Sequence, residues 1–363
     1  MKIIVLQDHL RSGGTERQSV LLANAFAAAG HAVRLVTFRP GGPLVSTVSS
    51  VVALRSLQSR DRGLDWFAPG LATLARNEPA DIILCMGRMA NCYGEYLVRH
   101  AASAQVRTAV VGTMRTGKNL PWLFRRSLRR ARHIVANSQA AQRNLVRLYG
   151  LPAVGITVIP NSLVFPDTLA YANNQALRRQ YGADDDTRVL LDVAMFRPEK
   201  NQRELIAIAA GLPAGFRWQL WLAGDGPEHE RCARYAAEIG VGDRVKFPGL
   251  VRDPNPLYAT ADVAVHASRK ESLSNFLIEA QAHGLPAVAY AAQGIDECFV
   301  PGDTGVALPF GNQAAFRAAI QRFADRDPAR RERARAFARR TFDPARQVQA
   351  YLELFRQLAE LPS

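Results

Sequence analysis

Apolar runs of strand length alternate with stretches of helical period along most of the chain. Residues 2–7 (K-I-I-V-L-Q) form the first run. A polar loop, D-H-L-R-S-G-G-T-E-R, follows, then a helical pattern over 18–29 closed by Gly30 and a strand over 32–38. The alternation predicts further strands at 51–54, 81–85, 107–112, 134–137 and 156–159. Helices are expected between them at 66–76, 93–100, 120–132 and 140–149. Residues 167–186 are polar, lack strand signals and end in D-D-D, which reads as a linker with one short helix. A second series of strands is predicted at 189–194, 218–223, 245–247, 262–266, 286–290 and 304–309. Helices are expected there at 204–210, 230–239 and 276–282, and the chain is helical and arginine-rich from Asn312 onward. Continuous apolar strands separated by helices signal parallel sheets covered on both faces. The chain therefore reads as two α/β, Rossmann-like domains: 1–165, a linker at 166–187, and 188–341. The halves share a rhythm but no sequence repeat.

A length of 363 residues accommodates two cores, and 48% hydrophobic content is ordinary for a globular protein. No apolar run approaches the ~20 residues needed to span a bilayer. The first apolar run is too short for a signal peptide and reads as a buried strand. Cys85, Cys92, Cys232 and Cys298 lack metal-ligand spacing and are expected to be reduced thiols in a cytoplasmic protein.

Charge changes the picture. The formal net charge is +14, which implies a polyanionic partner such as nucleic acid, anionic lipid or phosphorylated glycan. From Tyr96 through Pro166 there is no Asp or Glu. Within that window, residues 120–132 combine aromatic and apolar side chains with five arginines. Trp122 and Phe124 would sit among lipid headgroups, and Arg125, Arg126, Arg129 and Arg130 would meet their phosphates. The alternative is a surface helix with an apolar core face. No nucleic-acid module is visible, which argues against that partner.

The chemistry concentrates between Ser268 and Tyr290, S-R-K-E-S-L-S-N-F-L-I-E-A-Q-A-H-G-L-P-A-V-A-Y. Glu271 stands in a loop and Glu279 about one turn inside a short helix that Ser274 or Asn275 can cap. The helix N-terminus offers backbone N–H groups and a positive dipole end to a phosphate. Two carboxylates beside it can accept hydrogen bonds from hydroxyls. On spacing alone, two solvated glutamates would serve as well.

In its context this segment resembles the donor-site signature of retaining glycosyltransferases of the GT-B fold, in particular family 4, roughly E-G-x-P-x-x-x-x-E-A-x-A-x-G-x-P-V-V-A. Ser272 and Ser274 replace the Gly and Pro. The loops F-R-P-E-K, G-D-G-P and Q-G-I-D-E fall in register with the family, as does S-G-G-T-E-R in the first half. The resemblance implies two facing domains with a cleft, an acceptor-binding first domain and a donor-binding second. The terminal helix, about 342–363, would pack back on the first domain.

By resemblance, Lys200 neutralises the donor diphosphate. The arginine that usually accompanies it is replaced by Met195, and Arg197 is the candidate substitute. Glu279 resembles the ribose-binding glutamate. Glu271 resembles the residue that contacts the transferred sugar and stabilises positive charge at its anomeric carbon. Gly224 belongs to the donor loops, and backbone N–H groups near Asn275, Phe276 and Leu277 would hold the diphosphate. Gly13 and Gly14 would line the opposite wall. Arg115 stands where many members carry a histidine; with Lys118 it is a candidate for binding acceptor or phosphate.

The resemblance implies no metal and no cofactor, with a nucleoside-diphosphate-sugar, UDP-sugar first, as co-substrate. The expected activity is transfer to a lipid-linked, polysaccharide or lipopolysaccharide acceptor by an enzyme peripheral on the inner face of the cell membrane. Two readings stay open: a UDP-sugar 2-epimerase-like enzyme of the same fold, and a degenerate protein that only binds anionic glycan.

Overall fold

The computed structural model describes residues 1–103, 107–163, 165 and 175–360. The first part of the expected linker, 166–174, lies outside the described residues. The chain forms two compact units. The first comprises Met1–Ser162 and the segment from Pro344 onward; the second is Leu163–Asp343.

In the first unit the strands are β1 (Lys2–Gln7), β2 (Ala32–Thr37), β3 (Ala53–Ser56), β4 (Ile82–Cys85), β5 (Ala109–Met114), β6 (His133–Ala136) and β7 (Ile156–Val158). Between them run α1 (Gly14–Ala28), α2 (Leu71–Asn77), α3 (Arg88–Cys92), α4 (Gly94–Ser103), α5 (Trp122–Arg130) and α6 (Gln139–Tyr149). The sheet is parallel throughout, ordered β3-β2-β1-β4-β5-β6-β7. The helix expected over 93–100 is α4, and a further short helix, α3, precedes it. The Asp8 carboxylate reaches over from the end of β1 and accepts from the Met89 and Ala90 N–H groups at 3.0 and 2.8 Å, fixing the extra turn.

The second unit contains α7 (Gln175–Gln180), β8 (Arg188–Val193), α8 (Gln202–Ala210), β9 (Trp218–Ala223), α9 (His229–Glu238), β10 (Val245–Gly249) and α10 (Asn255–Thr260). It continues with β11 (Val263–His266), α11 (Asn275–Ala282), β12 (Ala287–Tyr290), β13 (Gly305–Leu308), α12 (Gln313–Phe323) and α13 (Pro328–Thr341). Its parallel sheet runs β10-β9-β8-β11-β12-β13. The strand order reverses between β8 and β11, and the loops leaving the carboxyl ends of those neighbours open a crevice where ligands bind in such sheets. Apolar residues cover both faces of this sheet, with Leu191, Trp221 and Ala264 on one side and Leu190, Leu222 and Val265 on the other.

The terminal helix α14 (Pro344–Glu360) belongs to the first unit. Tyr351 and Phe355 pack edge-on against Phe26 of α1. Gln347 donates to Pro160 O at 2.6 Å and to Gln18 Oε1 at 3.0 Å.

The helix at 122–130 corrects one expectation. Phe124 is 2% exposed and packs with Met114, Leu120 and Leu128, so it is a core residue and does not face lipid. Arg126 lies over the Trp122 ring and pairs with Glu95, which stands just before the acid-free window. Trp122 and Leu123 are more than half exposed, and Arg129 and Arg130 are exposed beside them.

Candidate active site

The site of the second unit is built from the loops after β8 and β11. After β8 the chain makes a short turn, Pro198–Lys200, and Asn201 takes the left-handed conformation at φ 58° before α8 begins. The Glu199 carbonyl accepts from Arg269 N–H at 2.8 Å and from Ser268 Oγ at 3.2 Å. These bonds tie the two loops together and bring Lys200 against Glu271.

Lys200 Nζ donates to Glu271 Oε1 at 2.5 Å, with side chains 24% and 10% exposed. His266, the last residue of β11, lies 2.9 Å from the same oxygen through Nε2. Its Nδ1 lies 2.9 Å from Oδ1 of Asp192 on neighbouring β8. Asp192 and His266 are each 1% exposed. Four charge-bearing groups thus form one chain: Asp192, His266, Glu271, Lys200. Burial alone would push the Glu271 carboxyl up; the Lys200 charge and the His266 hydrogen bond outweigh it and hold the group at about 2. Burial likewise opposes a charged His266, but the hydrogen bonds to Asp192 and Glu271 raise it above the ordinary histidine range.

Asp192 and His266 escaped the sequence reading. His266 sits inside an apolar strand, V-A-V-H, as a structural histidine would. Its signal was its place at a strand end five residues before Glu271.

The α11 helix starts at Asn275, one residue earlier than expected, and Ser274 is its cap, accepting from Leu277 N–H at 3.5 Å. Phe276 and Leu277 are buried and Asn275 is half-buried. Glu279 is half-buried on the same helix, and its Oε2 accepts from the Tyr258 hydroxyl at 2.6 Å. Tyr258 stacks between Phe276 and His283, with ring centroids 6.0 and 4.9 Å away. Ser272 is held by the Gln293 side-chain amide at 3.1 Å, which joins the Q-G-I-D-E loop to the glutamate loop.

Arg197 opens the same turn, its carbonyl accepting from Lys200 N–H at 2.9 Å. It lines a cavity of about 420 Å³ beside α8 and α9, together with Arg203, Arg231, Arg234 and Arg269. Met195 is 40% exposed on the same loop. Gly224 has a local reason to be glycine: its φ is 140°, and a Cβ there would lie 2.0 Å from the Ala194 carbonyl oxygen. The G-D-G turn is thereby pressed against the loop that carries Lys200.

In the first unit, Gly13 caps α1 and Gly14 opens it, both without positive φ; a Cβ on Gly13 would meet the Glu16 carboxylate. Arg115 is half-buried and donates to Asn161 Oδ1 at 2.5 Å and to the Tyr351 hydroxyl at 2.6 Å, tying α14 to the sheet. Lys118 is exposed in the loop after β5. No group of His, Cys, Asp and Glu among the described residues is arranged to hold a metal ion.

Residues 12–163 match the family model described as Glycosyltransferase Family 4, and residues 173–341 match Glycosyl transferases group 1. The chain belongs to the GT-B glycosyltransferases of family 4. It is accordingly a transferase of the glycosyltransferase type. Among relatives of this transferase, the lipopolysaccharide core biosynthesis glycosyltransferase LpsE of Rhizobium meliloti is 26% identical over 318 residues, covering 86% of this chain and 85% of LpsE. The lipopolysaccharide core biosynthesis glycosyltransferase LpsD of the same organism is 34% identical over 140 residues, 38% of this chain and 40% of LpsD. The crystal structure of Anabaena HepE in complex with UDP superposes with a TM-score of 0.81 at 22% identity, covering 98% of this chain and all of that one. That likeness concerns the fold.

Proposed function

We propose that this transferase moves a sugar, with retention of configuration, from a nucleoside-diphosphate-sugar to a lipid-linked or polysaccharide acceptor of the lipopolysaccharide type. The observation that carries the reading is the half-buried Lys200–Glu271 contact at the β8/β11 switch point, in the loop that leads into the helix carrying Glu279. Glu279 receives the ribose hydroxyls. The N-terminus of α11 and Lys200 receive the diphosphate. Glu271, ionised at neutral pH, accepts from hydroxyls of the transferred sugar and stabilises positive charge at its anomeric carbon. The developing charge on the leaving nucleotide is met by Lys200 and the helix dipole, so turnover should survive a chelator. The UDP complex of HepE and the lipopolysaccharide relatives favour a UDP-sugar and a glycan acceptor.

The acceptor surface includes the loop carrying Lys118. The enzyme lies against an anionic cytoplasmic membrane face through Trp122, Leu123, Arg125, Arg129 and Arg130. Support comes from the exposure of the two apolar side chains at the start of an arginine-rich helix. No helix among the described residues is long and apolar enough to cross a membrane.

The test is a melting-temperature screen with UDP, GDP, ADP and TDP, followed by hydrolysis of the matching nucleotide-sugars. One nucleotide, UDP first, should stabilise the wild type and lose its effect in Glu279→Ala. Silence toward every nucleotide would overturn the donor site.

A further inference from the structure

Both ring nitrogens of His266 face carboxylate oxygens at 2.9 Å, one on Asp192 and one on Glu271. A neutral imidazole has one N–H donor and one lone pair, so it would turn that lone pair toward one carboxylate. An imidazolium donates on both sides. Lys200 donates to the same Glu271 oxygen, Oε1, while Oε2 carries no hydrogen bond among the described residues. The two cations differ in freedom. Lys200 is a point charge on a flexible stem, a quarter exposed, within a short loop turn. His266 is buried and fixed at the end of a strand beside β8.

We propose that Asp192 and His266 are a positioning pair that keeps Glu271 ionised and anchored by Oε1, so that Lys200 can pass to the donor diphosphate and Oε2 can face the transferred sugar. The inference rests on the donor-site reading of Glu271. Asp192 touches no substrate; it acts by holding the ring protonated and oriented. The ionisable groups around that ring are Asp192 from β8, Glu271 from the loop after β11 and, through Glu271, Lys200. Without the imidazolium, drawing Lys200 away would strand a buried carboxylate with no counter-charge, an arrangement that proteins tolerate poorly.

The experiment compares wild type, Asp192→Asn and His266→Gln for nucleotide binding and for kcat and KM of nucleotide-sugar turnover, from about pH 5.5 to about 8.5, the span of histidine titration. In Asp192→Asn, kcat near neutral pH should fall by roughly tenfold to a hundredfold, the worth of one charge-assisted hydrogen bond. Its KM for the donor should change by less than about threefold, as expected when transition-state stabilisation is lost and ground-state binding kept. Its rate should recover as pH falls and the ring regains its proton, whereas a packing defect would not respond. A pH profile parallel to that of an active wild type overturns the pair alone. A wild type that binds no nucleotide overturns the donor site and the pair with it. Should Asp192→Asn fail to fold, nitrogen NMR of wild-type His266 decides: two protonated ring nitrogens near neutral pH support the pair, and a neutral ring overturns it.

Discussion

The Tyr258 hydroxyl lies 2.6 Å from Oε2 of Glu279 and orients that carboxylate from a separate helix, α10. Tyr258 is 1% exposed and clamped by the Phe276 and His283 rings, so the hydroxyl has little freedom. Tyr258→Phe removes the donor and keeps the ring. A hydrogen bond to a charged acceptor contributes about 1.5–3 kcal/mol, so nucleotide affinity should drop by roughly tenfold or more with the fold retained. Calorimetric titration with the preferred nucleotide checks this; unchanged affinity would separate Glu279 from donor binding.

Stability should depend on pH through two groups of opposite sign. Glu271 is depressed from 4.5 to about 2 in the folded chain, so its contribution is present above pH 4.5 and fades as pH falls toward 2. That shift corresponds to about 3 kcal/mol. His266 is raised above 6.5, so its contribution is full below that value and is lost as pH rises through the folded one. Glu271→Gln should therefore be less stable than wild type at neutral pH, with the gap closing below about pH 4.5. Urea denaturation followed by tryptophan fluorescence, repeated across pH, measures the gap.

Gly224→Ala should act through strain and not through lost chemistry. At φ 140° an L residue is disfavoured, and its Cβ would overlap the Ala194 carbonyl. A loss of about 1–3 kcal/mol is expected from the backbone strain, more if the overlap is not relieved. The turn would be forced away from the Lys200 loop, so donor affinity should fall in the same variant, as a ligand-dependent melting shift would report.

The helix α5 separates two neighbours by function. Phe124→Ala empties a buried site and should cost about 3–5 kcal/mol. Trp122→Ala removes a side chain 58% exposed and should leave the melting temperature nearly unchanged while weakening salt-sensitive binding to vesicles of anionic phospholipid. Co-sedimentation at two ionic strengths tests this, and equal binding by Trp122→Ala and wild type would remove the helix from the membrane surface.

Strand and helix positions were legible because parallel sheets covered on both faces write themselves as continuous apolar runs. Strands β1 and β9 fall where the apolar runs predict. The pairing of Lys200 with Glu271 was not legible, because it is made by the Glu199 carbonyl, and a backbone acceptor has no sequence signature. Arg197 is the candidate substitute for the arginine that Met195 replaces, and which way its side chain turns at the start of the Pro198–Lys200 turn has no sequence signature. Phe124 was misplaced because one helix carries both a core face and an exposed face. Two residues of that helix, Trp122 and Phe124, look alike in composition and differ only in direction.

The return of the terminal helix to the first unit sets an order of events during synthesis. Domains generally fold as units while the chain is made, the N-terminal one first. Here the first unit lacks Tyr351, Phe355 and Gln347 until residues 344–360 are made; the two aromatic rings cover Phe26, and Gln347 adds a hydrogen bond to Gln18, which Ser162 already pairs. The second unit, Leu163–Asp343, is continuous and is complete before they emerge. An apolar face of α1 therefore stays uncovered until the whole of the second unit has been made.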